Sequence, residues 1–209
     1  MKLQLALDIF NLDEALGLAE KLKEYVDIIE IGTPFVLEYG LEAVRQFRAK
    51  FPDKRILADT KIMDAGELES AAAFKAGADY VTVLAVTDIA TINACVETAN
   101  KYGKEIVADM ICVEHIPEKI EQLEAIGVHG IAVHTGVDQQ KRGRTPMDDL
   151  KVMKTYSKSA EISVAGGISL ETVPAYAALN PDVLIVGGGI TNATDPVQEA
   201  KLIYEKISL

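Results

Sequence analysis

The sequence predicts an α/β fold built from eight consecutive strand–helix units in one domain. Three observations carry that expectation. Short runs rich in Val, Ile, Leu and Ala recur along the chain and alternate with amphipathic stretches. The runs are apolar almost without interruption, as burial on both faces of a parallel sheet requires, rather than alternating as in a half-exposed hairpin. No Ser- or Pro-rich linker separates them, so residues 1–209 form a single domain on this reading. Eight units in a chain of 209 residues, 49% of them hydrophobic, fit a closed TIM (β/α)8 barrel, which leaves no edge strand to protect. A doubly wound open sheet is the alternative. Against it, the first strand-to-helix turn, Asp8-Ile9-Phe10-Asn11, has no glycine-rich dinucleotide loop.

The elements follow in order. The first strand is expected from Leu3 to Ile9, after which Asn11 caps a helix whose apolar residues recur at helical spacing as far as Leu22. The second strand runs from Val26 to Ile31, and Pro34 opens the next helix. Strands three to eight are expected at Arg55 to Thr60, Tyr80 to Ala85, Glu105 to Ile111, Gly130 to His134, Ile162 to Ala165 and Val183 to Val186. Gly77, Gly103 and Gly127 stand where intervening helices should close.

Charge and composition exclude several function classes. A net charge of −11 repels polyanions, which argues against nonspecific binding to nucleic acid or to an anionic membrane surface. A small phosphorylated ligand stays open, since a local pocket can oppose the global field. Cys95 and Cys112 lie in apolar segments without metal-ligand spacing, so two buried free thiols in a reducing cytoplasm are expected. Met1 to Ile9 is too short an apolar stretch for a signal sequence, and no segment reaches transmembrane length. A soluble, unprocessed protein is expected.

The candidate site begins at Asp59-Thr60-Lys61-Ile62-Met63-Asp64, where two carboxylates and an ammonium between them follow an apolar strand. Buried charges are costly unless paired or ligating, so such a triad marks a site; alone, it would be a surface salt bridge. Its company decides. In a barrel the C-terminal strand ends share one pocket, and there stand Asp8, Glu30, Asp59, Lys61, Asp109 and His134. Four carboxylates facing one ammonium suggest a divalent cation, and an oxygen donor set favours magnesium or manganese over zinc. Glu30 and Asp59 are the best ligand pair; alternatively Glu30 serves only as a partner for Lys61. His134 is either a general acid/base or a satisfied structural residue, and His115 and His129 are structural or surface residues. The last two strands end in Gly166-Gly167 and Gly187-Gly188-Gly189, where TIM barrels build phosphate sites from backbone N–H groups. The basic loop from His134 to Pro146 is a candidate lid.

Together, Asp59-x-Lys61-x-x-Asp64, Asp8 and Glu30 upstream and the two glycine loops downstream resemble the orotidine-monophosphate decarboxylase superfamily. Within it the chain is similar over essentially its full length to the 3-hexulose-6-phosphate synthases. The neighbouring 3-keto-L-gulonate-6-phosphate decarboxylases typically carry Arg three residues after the histidine and another in the final glycine loop, where this chain has Val137 and Gly188. The resemblance implies that Glu30 and Asp59 bind magnesium, that Asp8 and Lys61 hold the sugar hydroxyls and the developing oxyanion, and that His134 is the acid/base. It implies substrate contacts for Asp109, where the decarboxylases have Glu, and for Gly166, Gly167, Gly188 and Gly189. It also implies that Asp64 reaches across a twofold interface into a partner's site, making a homodimer the working unit.

The chemistry expected from the resemblance is aldol addition. Loss of a C1 proton from ribulose 5-phosphate gives a 1,2-enediolate, which adds to formaldehyde, with fixed positive charge stabilising the oxygens. Lys61, among carboxylates, is held protonated and poorly suited to Schiff-base formation. The rival enzyme reading is decarboxylation of 3-keto-L-gulonate 6-phosphate through a similar enediolate. The rival outside enzymes is a silent phosphate-binding barrel with a regulatory role.

Overall fold

The computed structural model describes residues 1–8 and 11–208. These form, in order, β1 (Lys2–Leu7), α1 (Leu12–Leu22), β2 (Ile28–Ile31), α2 (Thr33–Tyr39), α3 (Leu41–Lys50), β3 (Arg55–Ile62), α4 (Gly66–Ala76), β4 (Tyr80–Leu84), α5 (Ile89–Tyr102) and β5 (Glu105–Asp109). They continue with α6 (Ile116–Ala125), β6 (Gly130–His134), α7 (Val137–Gln140), α8 (Met147–Tyr156), β7 (Glu161–Ala165), α9 (Val173–Ala177), β8 (Val183–Val186), α10 (Gly188–Thr191) and α11 (Pro196–Ile207). The strands pair in parallel in sequence order, and β8 returns to β1 through Lys2↔Val183 to Leu5↔Val186, closing the barrel.

Local chemistry sets the element ends. Asn11 Oδ1 accepts from the N–H groups of Asp13 and Glu14 and so starts α1, while Gly77 and Gly103, both left-handed, close α4 and α5. Gly127, at φ 76°, follows α6. Outward-facing strand residues such as Leu5, Ile29 and Ile56 pack with α1, α2 and α3 through Ala15, Phe35 and Phe47 in one continuous core. Inside the barrel a second cluster, Ile28, Leu57, Tyr80 and Val183, forms an apolar floor. Two residues further along the first three of these strands come Glu30, Asp59 and Thr82, so the polar layer stands directly above that floor.

Several boundaries differ from expectation. The first strand stops at Leu7, and the expected last residue, Ile9, lies outside the described residues. β2 starts two residues late because Asp27 instead accepts the N–H of Leu3 at 2.8 Å. β5 ends at Asp109, not Ile111, since Asp109 Oδ1 accepts the Ile111 N–H at 2.9 Å and turns the chain. That turn continues through Cys112 at φ 61°, which leaves its side chain exposed; only Cys95 is the expected buried thiol. β3 runs on to Ile62, taking Lys61 into the strand in a left-handed conformation at φ 47°.

Candidate active site

Parallel strands of a closed barrel deliver alternate side chains into one lumen, and at its C-terminal mouth they line a cavity of about 580 Å³. Asp8, Glu30, Asp59, Lys61, Asp109, His134, Gly166, Gly167, Gly188 and Gly189 all border it. Asp64 does not: it is exposed outside the cavity, where its Oδ1 accepts the N–H of Ala65.

Lys61 is the centre of the charged layer. Its Nζ lies 2.6 Å from Asp59 Oδ2 and 3.0 Å from Asp109 Oδ2. Burial alone would lower the Lys61 pKa, but the Asp59 and Asp109 carboxylates outweigh it and raise it, so the side chain is an ammonium throughout the physiological range. Burial would likewise raise Asp109; the hydrogen bond and charge of His134, then Lys61 and the Ile111 N–H, hold it at about 2 instead. An ionised carboxylate only accepts, so the 2.9 Å contact between His134 Nδ1 and Asp109 Oδ2 fixes the proton on Nδ1. In the neutral ring Nε2 is then the basic nitrogen.

The remaining acids meet a different balance. Glu30 is buried beside Asp59, and desolvation followed by that repulsion pushes it up to about 8, although Gln4 Nε2 donates to its Oε2 at 2.6 Å. Partial desolvation, then Asp59, also raises Asp8 at the mouth. The layer therefore carries more acid than its own cations neutralise.

The donor set fits a divalent cation. Asp59 Oδ2 accepts from Lys61 and shares the single Thr33 hydroxyl proton with the Asp59 carbonyl, each 2.8 Å from Thr33 Oγ1, whereas Oδ1 accepts only from Thr82 Oγ1 at 2.7 Å. One lone pair on Asp59 Oδ1 and the Oε1 oxygen of Glu30 are thus left for a metal. Among the described residues no three acidic, His or Cys side chains converge as a ready-made ligand cage. Two carboxylate oxygens with the rest of the shell left to water or substrate is the arrangement magnesium accepts, and not a structural zinc site.

Opposite the acids, two loops approach closely. Gly166, at φ 119°, lies where a Cβ would come within 2.6 Å of the Thr135 carbonyl, and a Cβ on Gly189 would collide with the carbonyl of Ile168. Glycine is therefore required at both, and the N–H groups of Gly166, Gly167, Gly188 and Gly189 have no partner among the described residues. Among the described residues bordering the cavity, Lys61 is the one side chain with a permanent positive charge.

The expected lid is partly helical. From α7, Val137 and Gln140 border the cavity, and Gln140 Nε2 donates to Thr135 O at 2.7 Å beside Gly167. Its basic residues face outward instead, Lys141 towards Asp138 and Arg144 towards Asp149. Sequence reasoning missed Gln4, Thr33, Thr82 and Gln140. The signal for Gln4 was available: it is the polar break in the apolar run Lys2–Leu7 and shares its face with Asp8.

A sequence model described as the orotidine 5'-phosphate decarboxylase / HUMPS family matches residues 1–203. The protein of Staphylococcus epidermidis strain RP62A named 3-hexulose-6-phosphate synthase is 48% identical over 201 residues, 96% of each chain. The crystal structure of 3-hexulose-6-phosphate synthase from Salmonella typhimurium matches with a TM-score of 0.98 at 51% identity, covering 100% of this chain and 99% of that one. KGPDC from Streptococcus mutans, solved as a complex, matches with a TM-score of 0.90 at 29% identity, over 99% of this chain and 97% of that one.

Proposed function

The chain belongs to the orotidine 5'-phosphate decarboxylase / HUMPS family, and on that premise we propose that it is an aldehyde-lyase that reversibly condenses D-ribulose 5-phosphate with formaldehyde, giving D-arabino-hex-3-ulose 6-phosphate. The observation that carries this reading is the meeting of Lys61 Nζ and His134 Nδ1 on one oxygen of Asp109. It puts a fixed cation and an oriented base side by side.

The chain's residues divide the work as follows. The N–H groups of Gly166, Gly167, Gly188 and Gly189, unpartnered among the described residues, take the phosphate, and Asp8 takes a sugar hydroxyl. Neutral His134 removes the C1 proton through Nε2 and becomes an imidazolium, which Asp109 stabilises. Lys61 faces the negative charge that develops on the enediolate oxygens and, being in place beforehand, reorganises little as that charge appears. C1 then attacks formaldehyde, and His134 returns its proton to the new alkoxide, so protons balance over the cycle. A magnesium or manganese ion held by Glu30 and Asp59 would supply further positive charge to the same oxygens.

Val137 and Gly188 separate the two enzyme readings. Neither supplies the guanidinium typical of the decarboxylases, and Lys61 is already engaged by two carboxylates. Relatives named synthase are also nearer in sequence than KGPDC, at 40–51% against 29% identity.

A homodimer with shared sites completes the reading. Exposed Met63 and Leu68 stand one residue before and four residues after Asp64, and Thr87 Oγ1 donates to Met63 O, which brings the segment of exposed Val86 and Ile89 near Met63. Apolar side chains gathered around an acid suit burial against a second copy, at roughly 1.5–3 kcal/mol for each one fully covered. A cytoplasmic setting accords with two free thiols, one of them exposed.

Formaldehyde consumption by purified protein, dependent on ribulose 5-phosphate and metal, is the test. Faster release of carbon dioxide from 3-keto-L-gulonate 6-phosphate would transfer the assignment to the decarboxylase. Inactivity on both would favour the regulatory barrel.

A further inference from the structure

The ladder between β3 and β4 is interrupted once. Leu57 and Ala58 pair with Tyr80 and Val81, and pairing resumes at Ile62 opposite Val83. Asp59, Thr60 and Lys61 therefore face the single residue Thr82. A bulge of this size strips backbone groups of their ladder partners, and buried groups of that kind must be satisfied otherwise.

Thr82 takes up one of them, the Lys61 N–H, and binds the side chains of Thr60 and Asp59 as well. Its Oγ1 accepts the Lys61 N–H at 2.9 Å and its carbonyl accepts Thr60 Oγ1 at 3.1 Å. The hydroxyl proton goes to Asp59 Oδ1 at 2.7 Å. No other assignment works, because an amide N–H can only donate and a carboxylate can only accept. Thr82 is buried, so water does not compete for these bonds. Lys61, at φ 47°, is a non-glycine residue held left-handed, a conformation that persists only where its surroundings over-determine it.

We propose that Thr82 is a positioning residue for the reaction, one hydroxyl holding both the Asp59 carboxylate and the bulged backbone that aims Lys61 at Asp59 and Asp109. The inference rests on the aldolase reading for its activity assay. Its structural arm does not. Val has nearly the shape of Thr but neither donor nor acceptor, and Ser has both in a smaller side chain. In the full-length protein with saturating metal, Thr82→Val should lower kcat for formaldehyde consumption roughly 10- to 100-fold, the scale of small misplacements of catalytic groups. KM for ribulose 5-phosphate should stay within about threefold of wild type, since the glycine loops lie on other strands. Thr82→Ser should recover most of kcat.

Crystal structures of both variants should show Lys61 retaining positive φ in Thr82→Ser and losing it, or losing the Nζ contact with Asp109, in Thr82→Val. A Thr82→Val enzyme with wild-type kcat, or a Thr82→Ser enzyme no better than Thr82→Val, overturns the proposal. Should Thr82→Val fail to fold, Thr82→Ala replaces it in the same comparison with Ser. If wild-type protein consumes no formaldehyde, the aldolase reading fails, and the positions of Asp59 and Lys61 in the two crystal structures still decide the role of Thr82.

Discussion

The Lys61 ammonium stands 3.0 Å from Asp109 Oδ2, although the two residues come from strands separated by β4. The same oxygen is 2.9 Å from His134 Nδ1. Asp109 thus sets the tautomer of the His134 ring and the position of the Lys61 ammonium together. Asp109→Asn places an amide there: with its NH2 in the Oδ2 position it repels Lys61 and can no longer accept from His134 Nδ1, so the ring can turn over to the opposite tautomer, and with its NH2 in the Oδ1 position it opposes the Ile111 N–H instead. The expected loss is roughly 10²- to 10⁴-fold in kcat, the range seen when an oriented acid/base is misplaced. Steady-state formaldehyde consumption beside a thermal-unfolding control checks it. Activity near wild type would remove Asp109 from the site.

Metal removal tests Glu30 and Asp59. Exhaustive dialysis against EDTA is expected to abolish turnover, and magnesium or manganese to restore it. Asp59→Asn should stay folded and inactive at any metal concentration, because the amide offers a neutral oxygen where the carboxylate offered a charged one. Glu30→Gln should weaken magnesium binding measured by calorimetry. Full activity after chelation would exclude the cation.

Asp64 lies outside the cavity of its own chain, so in the proposed shared-site homodimer it would act in the partner's cavity. Asp64→Ala and Lys61→Ala homodimers should both be impaired. When the two are unfolded together and reassembled, about half the dimers should be mixed, each with one intact site, and activity should return to roughly a quarter of wild type. No recovery would mean that each barrel works alone.

The barrel was legible because burial on both faces leaves an unmistakable run of apolar residues in each strand, and Gly130 to His134 and Val183 to Val186 fall where expected. The charged residues were legible because Asp59, Lys61 and His134 end apolar runs, where a charge needs a reason. Their supports were not. Thr82 sits inside the run Tyr80–Leu84 as one more β-branched residue, and nothing in its neighbours announces that three residues of β3 bulge against it. The end of β5 was missed for a related reason. Met110 and Ile111 have strand propensity, but the Asp109 side chain bonds its own backbone two residues on, and that local bond prevails over the apolar pattern.

A last acid, at the start of the fourth strand, concerns stability alone. Asp79 is buried, and Lys104 Nζ donates to its Oδ1 at 2.6 Å, while Arg48 Nη2 and the Ile56 N–H donate to Oδ2. Burial would raise its pKa; the hydrogen bonds from Lys104 and Ile56 and the Arg48 charge outweigh that and depress it below the ordinary 3.8. A depressed carboxylate binds fewer protons folded than unfolded. Its stabilisation is therefore fully present above about pH 4 and fades as pH falls through the lower folded pKa. Asp79→Asn leaves Lys104 and Arg48 without their counter-ion in a half-buried setting, at a cost of about 2–4 kcal/mol at pH 7. Urea unfolding at pH 7 and pH 3 should show a large gap between variant and wild type that narrows in acid, with formaldehyde consumption at 25 °C unchanged. A gap that stays constant or widens at pH 3 would mean that packing, and not the charge on Asp79, is what the substitution removes.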